Sequence, residues 1–413
     1  MAKKDQFIVG LDIGTTKTRA IVAEVRQDGG ADIIGVGTGP SRGLRKGVVV
    51  NIESTVESIR KAVDDAETMS GVQINSVYVG IAGSHIKGFS SEGFVAVKSR
   101  EVTKGDITRA IAAAQAQSAP LINVDHRVLH VLPRGFILDD QEGIRDPLGM
   151  SGSRLKVNVH IITGAVTSIQ NLVKCVERAG LAVMGIILQP LASSEAVLTD
   201  DERELGVAMV DLGGGTTDLA IFADGSVMHT AVIPVGGDHF TNDIAVGLKT
   251  ARPDAERIKT QFGCAISSLV KEDETIDVPS IGGRPSRTLS RKVLAEIIEP
   301  RAEEVFDLVA REIKRAGYEG IVTGGVVITG GTSLMDGMTD MAERVLDLPA
   351  RRGMPVGVDG IHEHVGNPMY STGVGLILHA LHQQGDMGMH GLRKGRGLRW
   401  AMEQIKMWAR EFF

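Results

Sequence analysis

Two stretches of the chain carry the same unit: VGLDIGTTKT at residues 9–18 and AMVDLGGGTTD at 208–218. In each, an apolar strand ends in an aspartate, passes one more apolar residue and turns through Gly and Thr. Each then returns as a second apolar run, Arg19–Val25 in the first case and Leu219–Phe222 in the second. Apolar runs separated by tight-turn residues read as buried β-hairpins. Repetition of a whole strand–turn–strand unit predicts two similarly built lobes facing each other. At 413 residues the chain is also too long for a single simple core.

Composition narrows the class. The 51 glycines with only 4% aromatics suit an α/β protein with many tight turns. Net charge is −6, with 45 basic against 51 acidic residues, so no nucleic-acid partner is expected. Cys175 and Cys264 lie far apart and outside any C-x-x-C, and are expected to be buried thiols. The opening MAKKDQFIVG lacks the apolar region and cleavage site of a signal peptide. The longest apolar run, LAVMGIIL at 181–188, is far short of the roughly 20 residues a spanning helix needs.

After the first hairpin come a strand at Asp32–Gly37, a helix marked by Ile52, Val56, Ile59 and Val63 with Asn51 as N-cap, and a strand at Val77–Ala82. Two stretches do not fit the repeat. Residues 85–162 have a helix of their own (Asp106–Ala116) and strands Val128–Leu132 and Val157–Ile162. Residues 238–320 are helix-rich, with helices at 253–262 and Ser290–Ala316 and a polar loop at 280–288. Both read as insertions. The first lobe is then 1–84, 163–190 and 350–383, and the second is 191–237 and 321–349. A last helix at about 369–382 leads into a Gly-rich flexible linker, 384–397, and a tail, 398–413.

In the first turn, glycine lets backbone N–H groups approach an anion closely. Gly14, Thr15, Thr16 and Lys17 can hold phosphate oxygens, and Asp12 can hold Mg²⁺ through water. A hairpin with a surface lysine would look the same. Gly213, Gly214, Gly215, Thr216 and Thr217, placed opposite, make a polyphosphate clamp with two sides. A third turn, VVITGGTSLMDG, offers Gly330 and Gly331 as a flat surface for a nucleoside, although strand–Gly–helix turns are common. Glu256 and Lys259 share a helix face, which is usually a solvated ion pair but at a cleft can hold a ribose. The HEH at 362–364 lacks further ligands, His126 and His130 read as structural, and TDDERE at 199–204 reads as a solvated acidic turn.

Two phosphate loops, a connecting helix at LQPLASSEAVL, the loop GGTSLMDG and a second connecting helix at NPMYSTGVGLIL occur in an order that resembles the actin and heat-shock chaperone ATPase superfamily. The match covers about residues 7–383. Within it, the insertion HRVLHVLPRGFILDDQEGIRDPLGMSGSRLKVNVHIIT, the segment TLSRKVLAEIIEPRAEEVFDLV and the tail resemble the FtsA family of bacterial division proteins. The resemblance implies an actin-like ATPase fold, two ribonuclease-H-like lobes around a nucleotide cleft, with two inserted subdomains and a C-terminal amphipathic helix. It implies ATP and Mg²⁺ as ligands, with Asp12 and Asp211 positioning Mg²⁺ through water and Gln189 orienting a water molecule. It implies hydrolysis that is slow at most. It also implies filaments of the chain itself and recruitment of later division proteins through 85–162. The FtsZ C-terminal peptide would bind at 238–320, with Arg301 either a contact or simply an exposed helical arginine. The insertion sits on the other side of the first lobe from actin's, so actin's filament contacts do not transfer.

The tail LRWAMEQIKMWAREFF holds both tryptophans of the chain. At 100° per residue, Leu398, Ala401, Met402, Ile405, Trp408, Ala409, Phe412 and Phe413 form one face. Arg399, Lys406 and Arg410 flank it, and Trp400 falls on the polar side. Residues 393–413 hold six Lys/Arg against two Glu. This pattern predicts a helix lying on an anionic membrane surface, with Trp408 the deeper anchor. The resemblance to the FtsA family implies the cytoplasmic face of the inner membrane at midcell as the location. A sugar- or acetate-kinase enzyme on the same fold and an MreB-like shape filament are the alternatives. The first would need a general base outside the ATP motifs, and none stands out.

Overall fold

The structure, a computed structural model, describes residues 7–391 except 283–284 and 362–364. The first lobe is built on a six-stranded sheet. Its strands run in the order Ala182–Leu188, Ser76–Ile81, Phe7–Ile13, Lys17–Val25, Ala31–Pro40 and Asp359–Gly360. The second lobe has a five-stranded sheet: Ser226–Ile233, Thr217–Ala223, Val207–Leu212, Val326–Thr329 and Ala350–Arg352. Both contain an antiparallel three-strand meander whose first strand is extended by two parallel strands. The predicted repeat is therefore a repeat of whole half-sheets.

These strands form because their apolar runs can be covered on both faces. Val207–Leu212 is buried at every position, and Phe7–Ile13 at all but its first. One core packs the helix Ile52–Ser70, capped by Asn51 accepting from the Ser54 N–H, and the helix Val166–Arg178 against the first sheet. A core shared between the lobes joins Ile8, Ile21, Val197, Met209, Val374 and Ile377. It surrounds two connecting helices, Gln189–Val197 and Ser371–Gly391. They cross closely because Gly375 has no side chain: a Cβ there would lie 1.7 Å from the Ala192 carbonyl oxygen.

The insertion at 85–162 has its own sheet, in the order Lys87–Ala96, Arg154–Ala165, His126–Leu138 and Gln141–Ile144. The helix Lys104–Ser118, started by a capping box between Thr103 and Asp106, packs on it. Each predicted element is present and longer than expected. The edge strand Lys87–Ala96 goes beyond the expected elements, because KGFSSEGFVA has a single buried position and lacks an apolar stripe. The insertion also docks on the edge strand Ser226–Ile233 of the second lobe. Arg134 donates to the carbonyls of Val227, at 3.2 Å, and Met228, while His160 Nε2 lies 2.9 Å from Thr230 Oγ1. These contacts cover part of an otherwise open sheet edge.

In 238–320 the helices Gly237–Gly247, Arg252–Phe262 and Arg291–Ala316 surround a hairpin, Thr275–Val278 with Arg287–Ser290. The expected polar loop is the turn of that hairpin. Phe240, Leu294 and Phe306 share one continuous core with Val210, Leu219 and Ile328, so this stretch is packed as part of the second lobe.

Two expected boundaries move. Ala350–Arg352 pairs with Val326–Thr329, so these residues join the second sheet and not the first lobe. Three residues, two of them Arg, carry no strand periodicity to announce this. The last helix runs to Gly391, through the first part of the expected linker. Gly385, Gly388 and Gly391 each weaken a helix by about 1 kcal/mol relative to Ala, but unlike proline they leave its hydrogen bonds possible. TDDERE is a short helix, with Thr199 capping Asp200–Leu205. The HEH at 362–364 and the tail 398–413 lie outside the described residues.

Candidate functional site

The two hairpin turns close in the same way. Gly14 N–H donates to the Lys17 carbonyl at 3.1 Å, and Gly213 N–H to the Thr216 carbonyl at 3.0 Å. They face each other in contact. A Cβ on Gly214 would lie 2.5 Å from Thr16 Cγ2, and one on Gly215 would lie 2.5 Å from Thr15 Oγ1. Threonines on one turn therefore require glycines on the other. Behind the second turn, the carbonyls of Gly213 and Gly214 accept from the N–H groups of Gly237 at 2.9 Å and Asp238 at 2.7 Å. Thr332 Oγ1 also donates to Gly213 O, at 3.1 Å. The loop is fixed from behind, and its front borders a cavity of about 520 Å³ between the lobes.

The cavity wall includes Asp12, Gly14, Thr15, Thr16, Lys17, Gln189, Asp211, Gly213, Gly214, Gly215, Thr216, Glu256, Lys259, Gly330 and Gly331. Of the residues singled out for nucleotide contact, Thr217 is the exception. It is buried on its strand and donates to the Val235 carbonyl at 2.9 Å. Alternation along a strand turns Thr216 and Asp218 toward the cavity and Thr217 away from it.

Three carboxylates, Asp12, Asp211 and Asp218, are buried at the floor. Burial pushes the Asp12 carboxyl up to about 6; Arg19 opposes this and the Asp211 charge adds to it. Burial also raises Asp211, against hydrogen bonds from Ser193 Oγ at 2.6 Å and Thr372 Oγ1 at 3.3 Å. Asp218 is raised well above the carboxylate range by burial and by Asp211. Its Oδ2 accepts from Thr216 Oγ1 at 3.1 Å, while its buried Oδ1 has no hydrogen-bond partner. Gln189 Nε2 donates to Asp12 Oδ1 at 3.2 Å.

Buried oxygen donors with an orphaned atom and excess negative charge fit a hard divalent cation. Among the described residues, no three acidic, His or Cys side chains converge to ligate a metal directly.

The far end of the cavity is formed by the other lobe elements. Gly330 has φ of +83°, and a Cβ there would lie 2.3 Å from Asp211 Oδ1, so glycine is needed on both counts. Lys259 is not a solvated surface charge. It is buried and donates to Gly237 O at 3.1 Å, Thr241 Oγ1 at 2.9 Å and Glu256 Oε2 at 2.7 Å. Glu256 keeps a half-exposed carboxylate on the cavity. Arg19, Ser193, Asp218, Thr332, Met369 and Thr372 belong to this site but were not singled out. Arg19 and Asp218 were detectable, two strand positions from Lys17 and Thr216 and so on the same faces.

Arg301, a quarter exposed, is not a free solvated arginine. Its Nε and Nη2 reach Asp243 at 2.6 and 3.2 Å, and Nη1 meets Glu304. It ties the helix Gly237–Gly247 to Arg291–Ala316. His130 is structural as expected, accepting the Leu188 N–H at 3.1 Å, and both cysteines are buried.

Two half-sheets of one design, joined by two crossing helices over a Gly- and Asp-lined cleft, make this an actin-like ATPase fold. Solved structures similar to it include the PilM–PilN type IV pilus biogenesis complex, with TM-score 0.66 and 15% identity over 91% of this chain and 98% of that one. MreB5 of Spiroplasma citri bound to ADP is similar with TM-score 0.53 and 14% identity, over 90% and 95% of the two chains. The chain belongs to the FtsA family of cell division proteins. The family described as "Cell division protein FtsA" matches residues 208–375, and "SHS2 domain inserted in FTSA" matches 83–163, the first insertion. The cell division protein FtsA of Pseudomonas aeruginosa is 54% identical over 381 residues, covering 92% of this chain and 91% of that protein. That of Neisseria meningitidis is 44% identical over 419 residues and the whole of both chains.

Proposed function

We propose that this chain binds ATP between its lobes, polymerises on the cytoplasmic face of the inner membrane at midcell, and holds the FtsZ ring there. The observation that carries this reading is the pair of facing turns over buried carboxylates. The phosphates lie between Thr15, Thr16 and Lys17 on one side and Gly213–Thr216 on the other. Gly330 and Gly331 take the nucleoside, and the half-exposed Glu256 accepts from the ribose. Asp12, Asp211 and Asp218 hold Mg²⁺ through its waters, and the ion when bound neutralises phosphate charge. Gln189, donating to Asp12, orients a water for hydrolysis that is slow at most. ATP favours the assembling conformer to the extent that it binds that conformer better.

The 85–162 insertion serves self-assembly and recruits later division proteins, and the 238–320 stretch receives the FtsZ C-terminal peptide. Arg301, its guanidinium positioned by Asp243 and a quarter of its side chain exposed, is a contact for that peptide. The described residues contain no helix long and apolar enough to span a membrane. We assign attachment to the segment 398–413, whose sequence has the apolar face and basic flank of a surface-binding amphipathic helix and whose basic side chains contribute on the order of 1 kcal/mol each near anionic lipid. Polymerisation multiplies weak single attachments by effective concentration.

Flotation with anionic liposomes, with and without Mg·ATP, tests this reading. The intact chain should float, more completely with ATP, and a chain lacking 398–413 should stay in solution. Equal flotation of the two would remove the anchor from the account, and no ATP dependence would remove the switch.

A further inference from the structure

We propose that Arg19 is a built-in counter-charge of the cleft, which lessens the dependence of phosphate-ligand binding on a divalent cation. This rests on the nucleotide reading above and adds a residue to which that reading assigns no part. Arg19 is the direct cross-strand partner of Asp12 in the first hairpin. Its guanidinium lies between the lobes, with Nη1 3.6 Å from Asp12 Oδ2 and the side chain 12% exposed. The Tyr370 ring, 5.2 Å from its centre, holds it from the other side.

Two features separate this from a structural ion pair. The contact to Asp12 is longer than the roughly 2.7–2.9 Å of a charge-assisted hydrogen bond. The buried Nε has no hydrogen-bond partner. An arginine has five N–H donors and stays charged at any ordinary pH. Here it borders the cavity beside Asp12, Asp211 and Asp218, with donor capacity left over. A divalent cation in such a cleft offsets buried carboxylate charge and attracts phosphate oxygens, and Arg19 does part of both. It also repels the cation. The wild-type cleft should therefore bind the cation more weakly, and need it less, than the same cleft without Arg19.

The test is calorimetric titration of ATP into the full chain, in Mg²⁺ and in EDTA, for wild type, Arg19→Met and Arg19→Lys. For wild type, removing Mg²⁺ should weaken ATP at least as much as losing the Asp211 charge does, on the order of a hundredfold or more. For Arg19→Met the loss should grow by about a further tenfold, the scale of one charge interaction in a partly buried site. Arg19→Met should also reach half-maximal ATP binding at lower Mg²⁺. Arg19→Lys keeps the charge and should behave as wild type, whereas a role in packing against Tyr370 would leave it like Arg19→Met. An equal Mg²⁺ dependence in wild type and Arg19→Met overturns this inference and leaves the nucleotide reading standing. No ATP binding by wild type in either condition overturns both.

Discussion

Asp211→Asn should weaken Mg·ATP binding on the order of a hundredfold or more, about 3 kcal/mol, while the nucleotide-free protein keeps its fold. The asparagine carbonyl can still accept from Ser193 and Thr372, which hold Asp211 from the two connecting helices. What is lost is the charge facing the cavity. The check is calorimetry for affinity together with a thermal melt without nucleotide. Unchanged affinity in a folded variant would remove Asp211 from the site. An affinity loss accompanied by a large fall in melting temperature would instead make it a structural residue.

Asp12→Asn should act in opposite directions on stability and on binding. The folded protein holds the Asp12 proton up to about 6, well above the ordinary aspartate value of 3.8. Between about pH 4 and 6 the folded state therefore binds more protons than the unfolded state, and this group's contribution to stability falls as pH rises. Above 6 the cost of burying the charge is fully present. Asparagine removes it, so the nucleotide-free variant should be more stable at pH 7, on the order of 1–3 kcal/mol, less whatever Arg19 loses as a partner. At pH 4 the two proteins should melt alike. Cation-dependent ATP binding should fall in the variant at every pH, and in wild type as pH drops below 6. A variant that melts below wild type at pH 7 in EDTA would contradict this account of the buried carboxylate.

What was readable in the sequence was local in the chain. Each hairpin brings its Asp, Gly and Thr residues together within a few positions, so a strand signal followed by turn chemistry located both loops. The insertion at 85–162 showed as an interruption of the repeat, and so did 238–320, which packs instead as part of the second lobe. The missed features depend on distant partners. Ser193 and Thr372 reach Asp211 from helices whose sequences, LQPLASSEAVL and NPMYSTGVGLIL, look like ordinary packing. Lys259 reads as a surface lysine until the Gly237 carbonyl and Thr241 are placed beside it. Thr217 is a different kind of miss. Strand alternation, applied strictly, would have turned it from the phosphates and put Asp218 in its place. Arg301 likewise depends on Asp243, fifty-eight positions away, to reveal what holds it.

The central claim is that both loops close on one nucleotide. Hydrogen exchange of the full chain, with and without Mg·ATP, reads it most directly. Backbone amides of Gly14–Lys17 and of 213–216 should gain protection together, at the same ATP concentration, along with those of 330–333. Protection of one loop alone, or of neither at saturating ATP, would contradict a clamp formed from both lobes.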